Sequence, residues 1–166
     1  TGYFGGTVDF GNGPLTAQGD KEAIVVKLDP AGATLWSKHY GATGEARGAS
    51  ITTNAAGQVY VTGSAIGTAD LGSGPVALPG LSGFLMKLGA DGTLVDSKVF
   101  GVDQGAMMGV GVRVDCAQNP ILAAWGNGAN ANFGGGSLAA TGGQRTYLAR
   151  FSEAGNHLWS KAYGTS

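Results

Sequence analysis

The chain has 166 residues, with Lys+Arg 10 against Asp+Glu 11, a formal net charge of −1, and 43% hydrophobic beside 13% charged residues. That balance excludes intrinsic disorder, which needs low hydrophobicity with high net charge, and the singly scattered basic residues lack the clustered footprint that a phosphate backbone requires. Gly 32 and Pro 5 together make about 22% of the chain against a usual ~12%, yet no period of three marks a collagen.

In chain order, the first distinctive segment is the glycine-rich GGTVDFGNGP at 5–14. Next, Ile24, Val26 and Leu28 alternate with Val25 and Lys27, a period of two that predicts a strand. The turn Asp29-Pro30-Ala31-Gly32 leads into a second strand, LWSKHY, closed by Gly41. SITTN and QVYVTG follow as two more strands around Gly57. The order then begins again. IGTADLGSGP (66–75) precedes FLMKL, the turn Gly89-Ala90-Asp91-Gly92 and LVDSKVF closed by Gly101. GVRVD and NPILAA match SITTN and QVYVTG, and GANANFGGGS (128–137) precedes YLARF, Ser152-Glu153-Ala154-Gly155 and LWSKAY closed by Gly164.

The anchor glycines Gly11, Gly72 and Gly134 stand 61 and 62 residues apart. Blocks recurring in one order at near-constant spacing define a repeat. Gly32, Gly92 and Gly155 hold equivalent hairpin positions where positive φ is expected. No apolar series with helical spacing runs over three turns, so the chain is expected to be all-β. Four hairpin-joined strands per repeat predict the four-stranded antiparallel blade of a β-propeller. The expected divisions are a partial, three-stranded blade at 1–41 and blades at 42–101 and 102–166.

The segments GQVYVTG (57–63), GTVDFG (6–11), EAIVVKL (22–28) and LWSKHYG (35–41) resemble the repeats of bacterial secreted seven-bladed β-propeller (SBBP-type) repeat proteins. The resemblance spans essentially the whole chain and departs at VDSK (95–98) and NPILAAW (119–125). It implies an extracellular or cell-surface setting. Thr1-Gly2 align with Thr62-Gly63, so the chain is expected to open inside a second strand, as a segment of a longer propeller or one that identical chains complete.

Catalytic chemistry is not legible. His39 and His157 hold different repeat positions, and neither a metalloprotease, a nucleophile-elbow nor a Walker motif is present. Residues 126–131 match a G-x-G-x-x-A pattern, but that pattern binds dinucleotides only when it opens a helix. Cys116 is a lone cysteine, which leaves no disulfide framework or cysteine-rich metal site. Neither cofactor nor metal is expected, and no apolar run reaches the length of a membrane helix; the first ten residues carry no signal-peptide pattern.

Asp9, Asp70 and Asn132 share one repeat position, readable as a repeated ligand contact or as side chains organising Asx-type turns. Trp36 and Trp159 are equivalent, with Asp96 between them, so the position is expected outside the deep core. Such tryptophans could stack on a glycan or lie against the neighbouring blade. The series Lys27, Lys87, Arg150 and Lys38, Lys98, Lys161 read as solvated edge charges. The expected function is therefore a non-enzymatic scaffold, adhesin or filament module whose partner is a protein or further blades, with a carbohydrate-binding propeller as the alternative.

Overall fold

The computed structural model describes residues 1–139 and 143–164. Among these the protein is all-β, with 17 strands and no helix. The first unit holds β1 (Gly2–Phe4), β2 (Thr7–Asp9), β3 (Pro14–Thr16), β4 (Glu22–Leu28) and β5 (Thr34–Ala42). The second holds β6 (Glu45–Thr53), β7 (Val59–Ile66), β8 (Thr68–Asp70), β9 (Pro75–Ala77), β10 (Ser82–Leu88) and β11 (Leu94–Phe100). The third holds β12 (Met107–Val114), β13 (Pro120–Gly126), β14 (Ala131–Asn132), β15 (Ser137–Leu138), β16 (Arg145–Phe151) and β17 (His157–Tyr163).

Two complete four-stranded antiparallel sheets run in the order β6-β7-β10-β11 and β12-β13-β16-β17. In the first unit β1, β4 and β5 pair in the same sense, with Gly2 opposite Ile24 as Gly63 is opposite Phe84. The Thr1 hydroxyl donates to the Ile24 carbonyl at 2.8 Å, and Thr62 donates to Phe84 at 2.6 Å. Unit one thus copies the middle of unit two. Bulges recur as well, at Lys27/Leu28, Lys87/Leu88 and Arg150/Phe151, so each sheet bends at the same place.

The hairpin expectation holds: φ is 87° at Gly32, 82° at Gly92 and 85° at Gly155, left-handed values that a Cβ would penalise. The glycine-rich insertions differ from a plain loop. They fold as the small hairpins β2–β3, β8–β9 and β14–β15. β8 crosses to the preceding unit, where Asp70 pairs with Gly41 and Ala69 with Ala42, extending that sheet to five strands in the order β1-β4-β5-β8-β9.

The interior forms two apolar clusters. One joins Val25 and Tyr40 of unit one to Val61, Leu71, Phe84 and Met86 of unit two. The other joins Tyr60, Leu85 and Phe100 of unit two to Leu122, Phe133, Tyr147 and Phe151 of unit three. Each cluster spans a junction, so burial of apolar surface binds one unit to the next.

Candidate functional site

Two contacts repeat at both junctions. The bulge of the inner strand carries Gly48 in β6 and Gly109 in β12. A Cβ on Gly48 would collide with Thr1 and lie 3.1 Å from the Gly2 carbonyl; one on Gly109 would collide with Thr62 and lie 3.0 Å from the Gly63 carbonyl. Backbone therefore sits on backbone. Lys27 Nζ donates to the Ala90 carbonyl at 2.9 Å, and Lys87 Nζ to the Glu153 carbonyl at 2.8 Å. These lysines are not the solvated edge charges expected; each bonds the hairpin of the following unit. Among the second lysine series, Lys98 Nζ lies 3.0 Å from Asp96 Oδ2, while Lys38 and Lys161 are exposed.

Trp36 is half-buried. Its indole N–H donates to the same Ala90 carbonyl at 3.2 Å, and its ring lies against Gly92, where a Cβ would come within 3.0 Å of it. The ring therefore rests on the neighbouring unit. Asp96 holds the equivalent place against Gly155, with Oδ2 2.6 Å from a Cβ built there. Trp36 also lines a cavity of about 330 Å³ with Val25, Ile51 and Val59. Trp159 is half-buried on β17, far along the chain from Trp36, and the structure brings the two into no shared site.

Asp9 and Asp70 perform identical tasks. Asp9 Oδ1 accepts the N–H groups of Gly11 and Gly13 at 2.7 and 3.1 Å. Asp70 Oδ1 accepts those of Gly72 and Gly74 at 2.7 and 3.1 Å. Asn132 keeps the first bond, to Gly134 at 2.8 Å. A side-chain oxygen capping turn N–H groups stabilises a loop that would otherwise leave donors unpaired. Among the described residues, no group of three or more His, Cys, Asp or Glu could hold a metal ion, and no helix is long and apolar enough to cross a membrane.

Asp70 has a second role by position. It lies on the wall of a cleft of about 500 Å³ between units one and two, with Gln18, Glu22, His39, Tyr40 and Thr68. Glu22 is only 2% exposed. Its Oε1 accepts the Gln18 N–H at 2.9 Å, and its Oε2 is paired with His39 Nδ1. A Cβ on Gly41 would collide with this carboxylate, so the closing glycine of β5 is what lets Glu22 lie across the strand. The His39 ring also packs edge-on against Phe4, centroids 5.9 Å apart. Burial pushes the Tyr40 hydroxyl from 10.0 up to about 12, because desolvation disfavours the phenolate.

Sequence reasoning missed the Glu22–His39 pair. The two residues are 17 positions apart, and only the sheet pairing of Ile24 with His39 brings β4 and β5 into register there. A signal existed: at the two repeat positions where unit one has Glu22 and His39, unit two has Ser82 and Val99 and unit three has Arg145 and Ala162. No family model matches the chain, and no curated protein matches it at a significant level.

Proposed function

We propose that this chain is a non-enzymatic interaction module of β-propeller blades, working outside the cell or at its surface as a scaffold, adhesin or filament component. The observation that carries the reading is the repeated junction. The same backbone approach at Gly48 and Gly109, and the same lysine-to-carbonyl bond from Lys27 and Lys87, relate unit one to two as they relate two to three. Repeated placement of this kind propagates around a ring or along an array.

Unit three carries Arg150 and Trp159 at the positions of Lys27 and Trp36. Arg150 turns instead to Asp115 of its own unit, Nε to Oδ2 at 2.8 Å. Unit one offers the hairpin Asp29–Gly32, equivalent to the hairpins that receive Lys27 and Lys87. The partner favoured by these surfaces is another unit of the same repeat. The secreted setting and a ring of seven rest on the family resemblance of the repeats. Glycan stacking on Trp36 is the weaker alternative, because that ring already packs on Gly92 and bonds Ala90.

Sedimentation velocity on the whole chain tests the proposal. Concentration-dependent association is expected, and Trp159→Glu is expected to weaken it. A monodisperse monomer over the micromolar range would overturn it.

A further inference from the structure

We propose that the cleft between units one and two binds an uncharged saccharide, with His39, positioned by the buried Glu22, and Asp70 as its recognition groups. The inference goes beyond the scaffold reading and does not depend on how the units close.

The first support is the cost of the pair. A carboxylate 2% exposed is expensive to bury and persists where its partners compensate it. Ser82 and Val99 occupy the same two places in a well-formed sheet of unit two, so the fold does not require the pair. A local arrangement that the architecture can do without is where function is expected.

The second support is the cleft itself. Its volume of about 500 Å³ lies in the usual range for small-molecule sites. At the equivalent ground of the next junction Phe100 packs on Phe133 with ring centroids 5.0 Å apart. Convergent polar groups line the cleft of the first junction. Asp70 spends Oδ1 on Gly72 and Gly74, and Oδ2 has no hydrogen-bond partner among the described residues. His39 uses Nδ1 on Glu22, leaving Nε2. The Gln18 amide and Thr68 hydroxyl complete the set, and Pro75 and Tyr40 supply apolar surface.

Chemistry then selects the ligand class. The Glu22 charge already faces His39 and the Gln18 N–H, so what remains is hydrogen-bonding capacity, in both directions. Vicinal hydroxyls, each donor and acceptor, satisfy carboxylate, imidazole and amide groups together. The lining residues include neither Lys nor Arg, which disfavours phosphate and sulfate ligands.

The probes are methyl glycosides of glucose, galactose, mannose and N-acetylglucosamine, cellobiose and chitobiose, with n-butylamine as cationic control. Saturation-transfer NMR finds the binder and calorimetry measures it. At least one saccharide is expected to saturate with a Kd below about 1 mM. The double variant Glu22→Ser with His39→Val, which installs the residues of unit two, is expected to melt within a few degrees of the parent and to bind at least tenfold more weakly. Thr68→Val, outside the buried pair, is expected to weaken binding severalfold. Trp36→Asp is expected to leave it unchanged. The proposal is overturned if none of the saccharides saturates, if both cleft variants bind as the parent does, or if n-butylamine displaces the sugar.

Discussion

The two junctions are built on one plan and filled differently. Each sets an inner-strand glycine, Gly48 or Gly109, on the backbone of the preceding unit, and each sends a lysine to a hairpin carbonyl. The first then adds an indole, a cleft and a buried Glu22–His39 pair. The second has Asp96 beside Lys98 in place of the indole and stacks Phe100 on Phe151 with centroids 5.6 Å apart. The parts that repeat end on backbone atoms, whose positions leave little latitude in distance. The parts that differ are side chains that the backbone frame tolerates in several kinds, and there specialisation can enter.

The largest effect is expected where the common plan is broken. Gly109→Val drives a branched side chain into the Gly63 backbone and should cost about 3 kcal/mol or more by urea denaturation. Gly48→Val should cost a similar amount at the first junction. Unequal losses, with one near zero, would show that the two junctions are not equivalent.

Next come the contents of the first junction. His39→Ala leaves the Glu22 carboxylate buried with one fewer partner and should cost about 2 kcal/mol. Adding Glu22→Ser should recover most of that loss, so the double-mutant cycle reports strong coupling. Additive losses would mean the pair does not act as a pair.

Alkaline pH sharpens the contrast further. Tyr40 has its hydroxyl raised from 10.0 to about 12, so its neutral form is favoured in the fold. The associated stability, about 2–3 kcal/mol, is whole below pH 10 and is lost as pH climbs through about 12. Burial also raises Tyr60 and Tyr147, so alkaline weakening should persist in part when Tyr40→Phe installs the residue type that unit two has at Phe100. An unchanged pH profile in that variant would refute the assignment.

The smallest effect is an exchange between junctions. Trp36→Asp should cost about 1–2 kcal/mol through lost burial on Gly92, and Asp96→Trp should gain up to ~1 kcal/mol by seating an indole on Gly155. Thermal melts of the two variants and their combination measure this.

Much of the fold was legible because the chain repeats. Alternation around Val25, Leu85 and Leu148 marked the strands, and the equivalence of Gly32, Gly92 and Gly155 predicted their backbone conformation. What lay hidden depends on contacts between units. Nothing local in Lys27 announces a bond to Ala90, 63 residues on. Nor does TADLG show by itself that β8 will join the sheet of the preceding unit. The candidate site was obscured differently: Asp9 and Asp70 drew attention by recurring, and their recurrence reflects turn-building. Glu22 and His39 do not recur, and comparison across the three units is what distinguishes them.

The lysine bond has one more consequence. Its acceptor is a main-chain oxygen, that of Ala90 or Glu153, while the corresponding residue in the first hairpin is Pro30. Proline, alanine and glutamate all present the same carbonyl, so mutation at the receiving position leaves the joint intact. A coupling that ignores side-chain identity can survive duplication, deletion or shuffling of the segment that encodes a unit.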